Sequence, residues 1–340
     1  MALTDSFGRH VTYARISLTD RCNYRCVYCM PAQGDPFTPN PELLSDDEVV
    51  ELAQVLGHLG VRKLRLTGGE PLVRRGVPAL VHRIKGSTPI EHVALTTNAH
   101  LLTRRAGPLA EAGLDSINVS LDSLDAARFA ELTRHGDLAR VLAGIDAAIE
   151  AGIPSIKLNA VVIRGFNDDE LTDLVEYAIG RGVIMRFIEF MPIGEQTIWG
   201  HSGSATCVPA KEIRAVLSSR WFMEAEPGRY GAGPARYWRL FGPGAPEQGH
   251  PMGIIAAVTE CFCADCNRVR ITSRGGLRAC LADDHEVDLR DILRSGAPAH
   301  QRRAALTERV GLSLGLKKER HDFDLARPGV TMKAMNAIGG

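Results

Sequence analysis

The sequence predicts an α/β fold: a partial (β/α)6 TIM-like barrel over residues 5–220, then a C-terminal α+β domain over residues 221–340. Three observations carry this expectation. Short β-rich runs alternate with longer helical patterns at roughly 25–40 residues per unit, the mark of parallel βα units. The polar and Gly-rich clusters LTDRCNYRCVYCM, LTGGEP, TTNA, SLDS and EFMPIG fall in the loops that follow the β-rich runs, where such folds carry their sites. After about residue 220, Pro and Gly become frequent (Pro227, Gly228, Gly231, Gly233, Pro234, Gly242, Pro243, Gly244), marking a boundary or a long surface loop. Six units are too few for a closed eight-stranded barrel and suit an open one. Pattern alone also permits a doubly wound flat sheet.

The predicted strands are 10–18, 63–67, 91–97, 116–121, 155–163 and 183–190. Between them, apolar residues recur at helical spacing. Ser45 and Glu48 form a capping box ahead of Val49, Leu52, Val55, Leu56 and Leu59. Asn167 and Glu170 give a similar start signal before Leu171, Leu174, Val175 and Ala178. Later come two strands (235–241 and 253–259), a hairpin turning at Gly275 and Gly276, two helices (287–294 and 301–312) and a tail ending in Gly339 and Gly340.

Apolar residues at 45% and charged residues at 24% are ordinary globular values and exclude a disordered chain. Forty Lys and Arg balance forty Asp and Glu, so no overall field favours nucleic acid or an anionic membrane. No run reaches about 18 apolar residues, and the first fifteen residues lack a signal-peptide core. A cytoplasmic protein, a monomer or homodimer with no nucleic-acid or membrane partner, is expected. In that compartment thiols stay reduced, so the eight cysteines read as ligands or catalytic groups.

Cys22, Cys26 and Cys29 form C-x3-C-x2-C. Three thiolates in one loop can converge on one metal centre, and three ligands on a four-iron cubane leave one iron open. A structural zinc would want a fourth ligand, and none is nearby. With Tyr28 just before the third cysteine, this segment resembles the signature of the radical S-adenosylmethionine (SAM) enzymes. Gly68, Gly69, Glu70 and Pro71 resemble that family's second motif, where glycines allow close backbone approach and a carboxylate complements the methionine ammonium.

Cys263, Cys266 and Cys280 form C-x2-C-x13-C, with the third cysteine on the return arm of the hairpin. Cys261 is a possible fourth ligand, which would close the site in the manner of structural zinc. Arg268 and Arg270 alternate along a strand and so share one face. These motifs, with NVSLD, KLNAVVIRGFN, FIEFMPIG, RACL and the Gly-Gly terminus, narrow the resemblance to the radical SAM branch that opens molybdenum cofactor synthesis by rearranging GTP.

That resemblance implies two 4Fe–4S clusters, one held by Cys22, Cys26 and Cys29 and one by Cys263, Cys266 and Cys280, the second open to the guanine ring. It places SAM against Tyr28, Gly69, Ser120 and Met191, and GTP against Arg15, Lys63, Arg65, Thr96, Lys157, Arg268 and Arg270. The last two arginines, with Gly339 and Gly340 of a tail threaded into the site, are the expected catalytic positions. The implied reaction abstracts the C3′ hydrogen of GTP and joins C3′ to guanine C8. An electron donor such as flavodoxin or ferredoxin and a downstream cyclic pyranopterin monophosphate synthase are the implied partners. Cys207 and Cys261 match no family ligand. Rival readings are another radical SAM enzyme with an auxiliary cluster, such as a peptide-modifying maturase, and a non-enzymatic electron carrier. The carrier would need closed four-cysteine sites and leaves the GGEP motif unexplained.

Overall fold

A computed structural model describes residues 3–34, 36–193, 203–226, 233–323, 325 and 335–338. Six strands follow one another in the first part: β1 (Tyr13–Ser17), β2 (Lys63–Thr67), β3 (His92–Thr97), β4 (Ser116–Ser120), β5 (Ile156–Val162) and β6 (Ile184–Glu189). They pair in chain order, all parallel. These are the six predicted strands, trimmed at their ends. Their inward and outward faces are both covered, so the strands are almost wholly buried.

Six later strands complete the sheet: β7 (Phe222–Glu226), β8 (Arg236–Phe241), β9 (His250–Ile255), β10 (Arg268–Ile271), β11 (Gly276–Arg278) and β12 (Val287–Asp288). They add to both edges rather than pairing among themselves alone. β9 joins β6 in parallel and carries β8 and β7 antiparallel outside it. β10 joins β1 in parallel and carries β11 and β12. The result is one twelve-stranded sheet, ordered β12-β11-β10-β1-β2-β3-β4-β5-β6-β9-β8-β7. The parallel run is thus eight strands, two more than the alternation predicts, and its ends stay unpaired with each other. The partial barrel is right; its last two staves come from the C-terminal part.

Helices fill the connections, among them α1 (Asp46–His58), which packs Val49, Leu52, Val55 and Leu56 into the core. The predicted capping box holds: Ser45 Oγ accepts from Glu48 N at 3.2 Å, and Glu48 Oε2 accepts from Ser45 N at 2.7 Å. The second start signal does something else. The helix Leu171–Gly180 has no side-chain cap. Asn167 instead accepts from Ile163 N (2.8 Å) and donates to the Asp122 carbonyl (2.7 Å). Glu170 accepts from Ser123 Oγ (2.8 Å) and Leu124 N (2.7 Å). The pair ties the loop after β5 to the loop after β4.

Two further expectations shift. The strand expected at 253–259 begins earlier, because His250 and Pro251 pair with Leu240 and Arg239 of β8. The helix expected at 287–294 is only Arg290–Leu293, because Val287 and Asp288 pair with Leu277 and Gly276 and extend the hairpin into a three-strand meander. The helix expected at 301–312 is longer, Ala299–Gly315. Among the described residues, no helix is long and apolar enough to cross a membrane.

Glu189 locks the late part onto the barrel. It ends β6 fully buried and accepts from Ala210 N (2.8 Å), Val258 N (2.8 Å) and Thr259 N (2.9 Å), with Thr259 Oγ1 also bound. Glu189→Gln puts an NH2 donor against donors. It should cost about 1–3 kcal/mol, read as a lowered urea midpoint at unchanged slope.

Candidate active site

The strand register builds two rungs of polar side chains on the inner face. Tyr13 of β1 lies beside Lys63 of β2 and Arg268 of β10; two residues on, Arg15 lies beside Arg65 and Arg270. Neighbouring strands are about 4.8 Å apart, so cations are stacked side by side in a buried place. Arg15, Lys63, Arg65, Thr96, Lys157, Arg268 and Arg270, every residue expected to hold the nucleotide, line one cavity. Arg65 Nε donates to Tyr13 Oη (2.5 Å), and its Nη1 donates to Thr96 Oγ1 and the Leu95 carbonyl (both 3.1 Å). Arg15 Nε is buried and has no partner among the described residues.

Like charges opposite one another are unfavourable, and here the repulsion adds to the larger effect of burial. Burial, with Arg65 close by, pulls Lys63 down to about 8. Burial, with Arg186 and Lys63 as the nearest repelling charges, pulls Lys157 down to about 7. Burial alone would raise the Tyr13 phenol, but Arg65, Arg15 and Lys63 outweigh it and bring it to about 7. A bound polyanion would relieve all of these at once.

The first cysteine triad sits in the loop after β1. Cys29 N and Met30 N both donate to the Cys26 carbonyl (2.9 and 3.2 Å), curling the loop. Tyr24 N lies 3.4 Å and Asn98 Nδ2 3.8 Å from Cys22 Sγ, both donating to it. Burial pushes the Cys22 thiol up to about 11, and burial with the neighbouring Cys29 pushes Cys26 well above its ordinary value. A metal bound here would have to displace the protons of these thiols. Gly68 and Gly69 let the loop after β2 press against this one: Gly69 N donates to the Thr19 carbonyl (2.7 Å) and Glu70 N to the Arg21 carbonyl (2.8 Å). A Cβ on Gly69 would stand 2.4 Å from the Arg21 oxygen.

Glu70 corrects one expectation. Its carboxylate is buried and accepts from Leu72 N (2.9 Å), Thr97 Oγ1 (2.7 Å) and Asn98 N (2.7 Å). It braces the loops and is not presented to a ligand ammonium. Burial lifts its pKa to about 7.

Tyr28, Ser120 and Met191 line the same cavity as the basic rungs; Gly69 does not. Tyr28 Oη donates to Asp122 Oδ2 (2.8 Å), and Asp122, raised to about 6 by burial, also bears on Cys26. Tyr28, next to the third cysteine of the first triad, thus stands at the cavity wall. Cys263, Cys266 and Cys280 line it elsewhere. Burial would raise the Cys266 thiol, but Arg268 and Lys317 outweigh that and bring it to about 7. Neither predicted triad closes to the span of a single ion, within 4.8 Å, as a tetrahedral zinc at about 2.3 Å from each sulfur would require. Three sulfurs held farther apart suit a larger centre with each thiolate on its own iron. Gly339 and Gly340 lie outside the described residues. The last described turn, Met335–Ala337, brings Met335 to the cavity and Asn336 Nδ2 to the Asp20 carbonyl (3.3 Å).

Residues 16–178 match the Radical SAM superfamily model, and residues 183–323 match Molybdenum Cofactor Synthesis C. The GTP 3′,8-cyclase of Pseudomonas putida (strain W619) is 45% identical over 339 residues, covering 100% of this chain and 98% of that protein. The GTP 3′,8-cyclase of Pelotomaculum thermopropionicum is 44% identical over 340 residues, covering 99% of this chain and 100% of that protein. The chain belongs to the GTP 3′,8-cyclase family of radical SAM enzymes. It is an enzyme of molybdenum cofactor biosynthesis that works with SAM and iron–sulfur clusters. The fold has the same architecture in the crystal structure of Streptococcus suis SuiB bound to S-adenosylmethionine, with a TM-score of 0.59 at 14% identity over 82% of this chain and 63% of that one.

Sequence reading missed Tyr13, Asn118, Asp122, Asn159 and Arg186 in this cavity. Tyr13 was within reach, since it precedes Arg15 by two on a strand and must share its face. Arg186, whose Nε and Nη2 donate to Asn159 Oδ1 (2.9 and 2.6 Å), lies on β6 opposite Asn159 of β5, a pairing only the register reveals.

The depressed lysines set a pH dependence. Their folded values lie below the ordinary 10.5, so the unfolded chain binds more protons between about pH 7 and 10. The two lysines should therefore contribute stability that grows as pH rises through that window, opposed above about pH 8 by the raised cysteine thiols. Inorganic triphosphate should bind with proton uptake, and its affinity should fall as pH rises above about 7. Calorimetry in buffers of different ionisation enthalpy checks both signs.

Proposed function

We propose that this enzyme converts GTP to (8S)-3′,8-cyclo-7,8-dihydroguanosine 5′-triphosphate, with the triphosphate seated on the two basic rungs and the guanine turned toward Cys263, Cys266 and Cys280. The observation that carries it is the stack of five cations lining one cavity, in which the buried Arg15 Nε has no partner among the described residues. Cys22, Cys26 and Cys29 would hold the cluster that binds SAM, and Cys263, Cys266 and Cys280 a second one. When bound, the first cluster and SAM together supply a 5′-deoxyadenosyl radical.

The chain's own residues then do three things. Arg15, Arg65, Lys63 and Lys157 neutralise the phosphates and fix the ribose in position, the entropy part of the rate. Tyr28, Ser120 and Asp122, with Met191, shape the neighbouring space where SAM would lie. Arg268, stacked on Phe262 with its carbon 4.8 Å from the ring centroid and its Nη2 4.0 Å from Cys266 Sγ, spans from the rungs to the second triad. Arg270 beside it serves the same ligand. The apolar walls from Ile188, Phe190, Ile255 and Leu281 exclude water from a reactive intermediate. The same reading has the Gly339–Gly340 tail reach the site, supported by Met335 at its edge. It puts the enzyme in the cytoplasm, with electrons from a flavodoxin- or ferredoxin-type donor and product passing to a cyclic pyranopterin monophosphate synthase. Eight free thiols suit that reducing compartment.

Anaerobically reconstituted enzyme with SAM, dithionite and GTP should release 5′-deoxyadenosine only when GTP is present. Equal release without nucleotide, or with a peptide alone, would reject the substrate. Cys280→Ser should keep slow SAM cleavage and form no cyclised product, whereas Cys22→Ser should lose both.

A further inference from the structure

Among the described residues, one set of three ligating side chains does close to the span of a single ion. Cys261 Sγ, Cys263 Sγ and a ring nitrogen of His321 lie within 4.8 Å of one another, all half-buried. Cys261 has no part in either predicted triad, and His321 is remote in sequence.

The set is assembled by deliberate-looking anchors rather than by chance proximity. Arg9 Nη1 donates to the carbonyls of Cys263 and Glu319 (both 2.8 Å), and its Nη2 donates to the Lys318 carbonyl (2.7 Å). Asp5 holds the same guanidinium through Nε at 2.5 Å. Lys317 Nζ donates to the carbonyls of Cys266 (3.1 Å) and Arg268 (3.0 Å). Two cations thus clamp the segment before His321 onto the cysteine loop.

The donor chemistry also fits. His321 Nε2 lies 2.7 Å from the Ala257 carbonyl and donates to it, which puts the lone pair on Nδ1; Phe323 N donates to that lone pair at 3.2 Å, a bond the ion must replace. A ring N–H fixed on a backbone carbonyl is the usual support of a ligating imidazole. Cys263 N donates to Cys261 Sγ (3.4 Å), and the His321 backbone N–H donates to the Cys263 sulfur. Each sulfur is thus held by a backbone N–H, and an ion binding there must displace the thiol protons. Two thiolates and one imidazole in this span are a tetrahedral zinc set with one position for water, and softer divalent ions of the same series would follow.

We propose that Cys261, Cys263 and His321 Nδ1 bind one divalent transition-metal ion, zinc for preference, in the chain that lacks its second cluster. Each thiol releases its proton to solvent as the ion binds. Because Cys263 belongs to both sets, the ion and the second cluster exclude each other. That exclusion rests on the proposed second-cluster triad; the ion site does not.

Cobalt(II), whose thiolate bonds give a charge-transfer band, is the probe, added anaerobically to the full chain stripped of iron and sulfide. The first triad can also take cobalt, so the quantity read is the difference from Cys261→Ser. Wild type should bind one more cobalt per chain than Cys261→Ser, and His321→Ala should lose the same increment. Cys266→Ser and Cys280→Ser should keep it. No increment in wild type, or an increment that survives in His321→Ala, overturns the site. So does its loss in Cys266→Ser or Cys280→Ser. In the second arm, one equivalent of zinc added before reconstitution should lower iron uptake by about four per chain in wild type and not in Cys261→Ser; equal uptake overturns the exclusion. If Cys266→Ser and Cys280→Ser both load as much iron as wild type, the second-cluster reading fails instead, whatever the cobalt increments are.

Discussion

The molecule is organised around a repulsion that the backbone imposes. Parallel pairing of β10, β1 and β2 sets Arg270, Arg15 and Arg65 side by side, with Arg268 and Lys63 one rung away around Tyr13. Hydrogen-bonded strands cannot move apart to relax this, and burial removes the water that would screen it. The fold tolerates the arrangement by lowering the basicity of the lysines and drawing the tyrosine toward its anion. Free energy withheld in this way is returned when a polyanion arrives, so the rungs favour occupancy over the empty state.

The sulfur loops depend on that frame at one remove. The first is fixed because two glycines let the β2 loop donate into its carbonyls, and Glu70 then braces the next loop along. The second hangs from β10 and is clamped from below by Arg9 and Lys317. Both loops therefore report on the same pair of adjacent strands. A disturbance of β1 would reach the nucleotide rungs and both thiol sets together, while one in β4 would be felt mainly around Tyr28 and Asp122.

Much of this could be read in advance from local patterns. Strand alternation located β1–β6, and cysteine spacing singled out the two triads as candidates, because each signal is carried by residues close in sequence. The rungs were half visible: the residues expected to bind nucleotide all line the cavity, yet Tyr13 and Arg186 went unnoticed since their relevance comes from register. β9 and β10 could not be placed, because parallel addition to a distant edge leaves no local trace. Glu70 was misjudged for a similar reason. A carboxylate after two glycines looks available until the backbone donors of Leu72 and Asn98 are seen to occupy it. The nearness of Cys261 to His321 likewise rests on Arg9, some 310 residues from the carbonyl of Glu319 it binds.

The pairing of β1 with β10 has a consequence for synthesis on the ribosome. Thr12 meets its Asn267 partner 255 residues later. At roughly 5–20 residues per second, the outer edge of β1 waits on the order of tens of seconds with its amides uncovered. A bare strand edge invites pairing with another nascent chain. Until residues 268–271 dock, the half-made polypeptide is exposed to aggregation on the side that will later carry the nucleotide, and iron delivered earlier would meet an unfinished second loop.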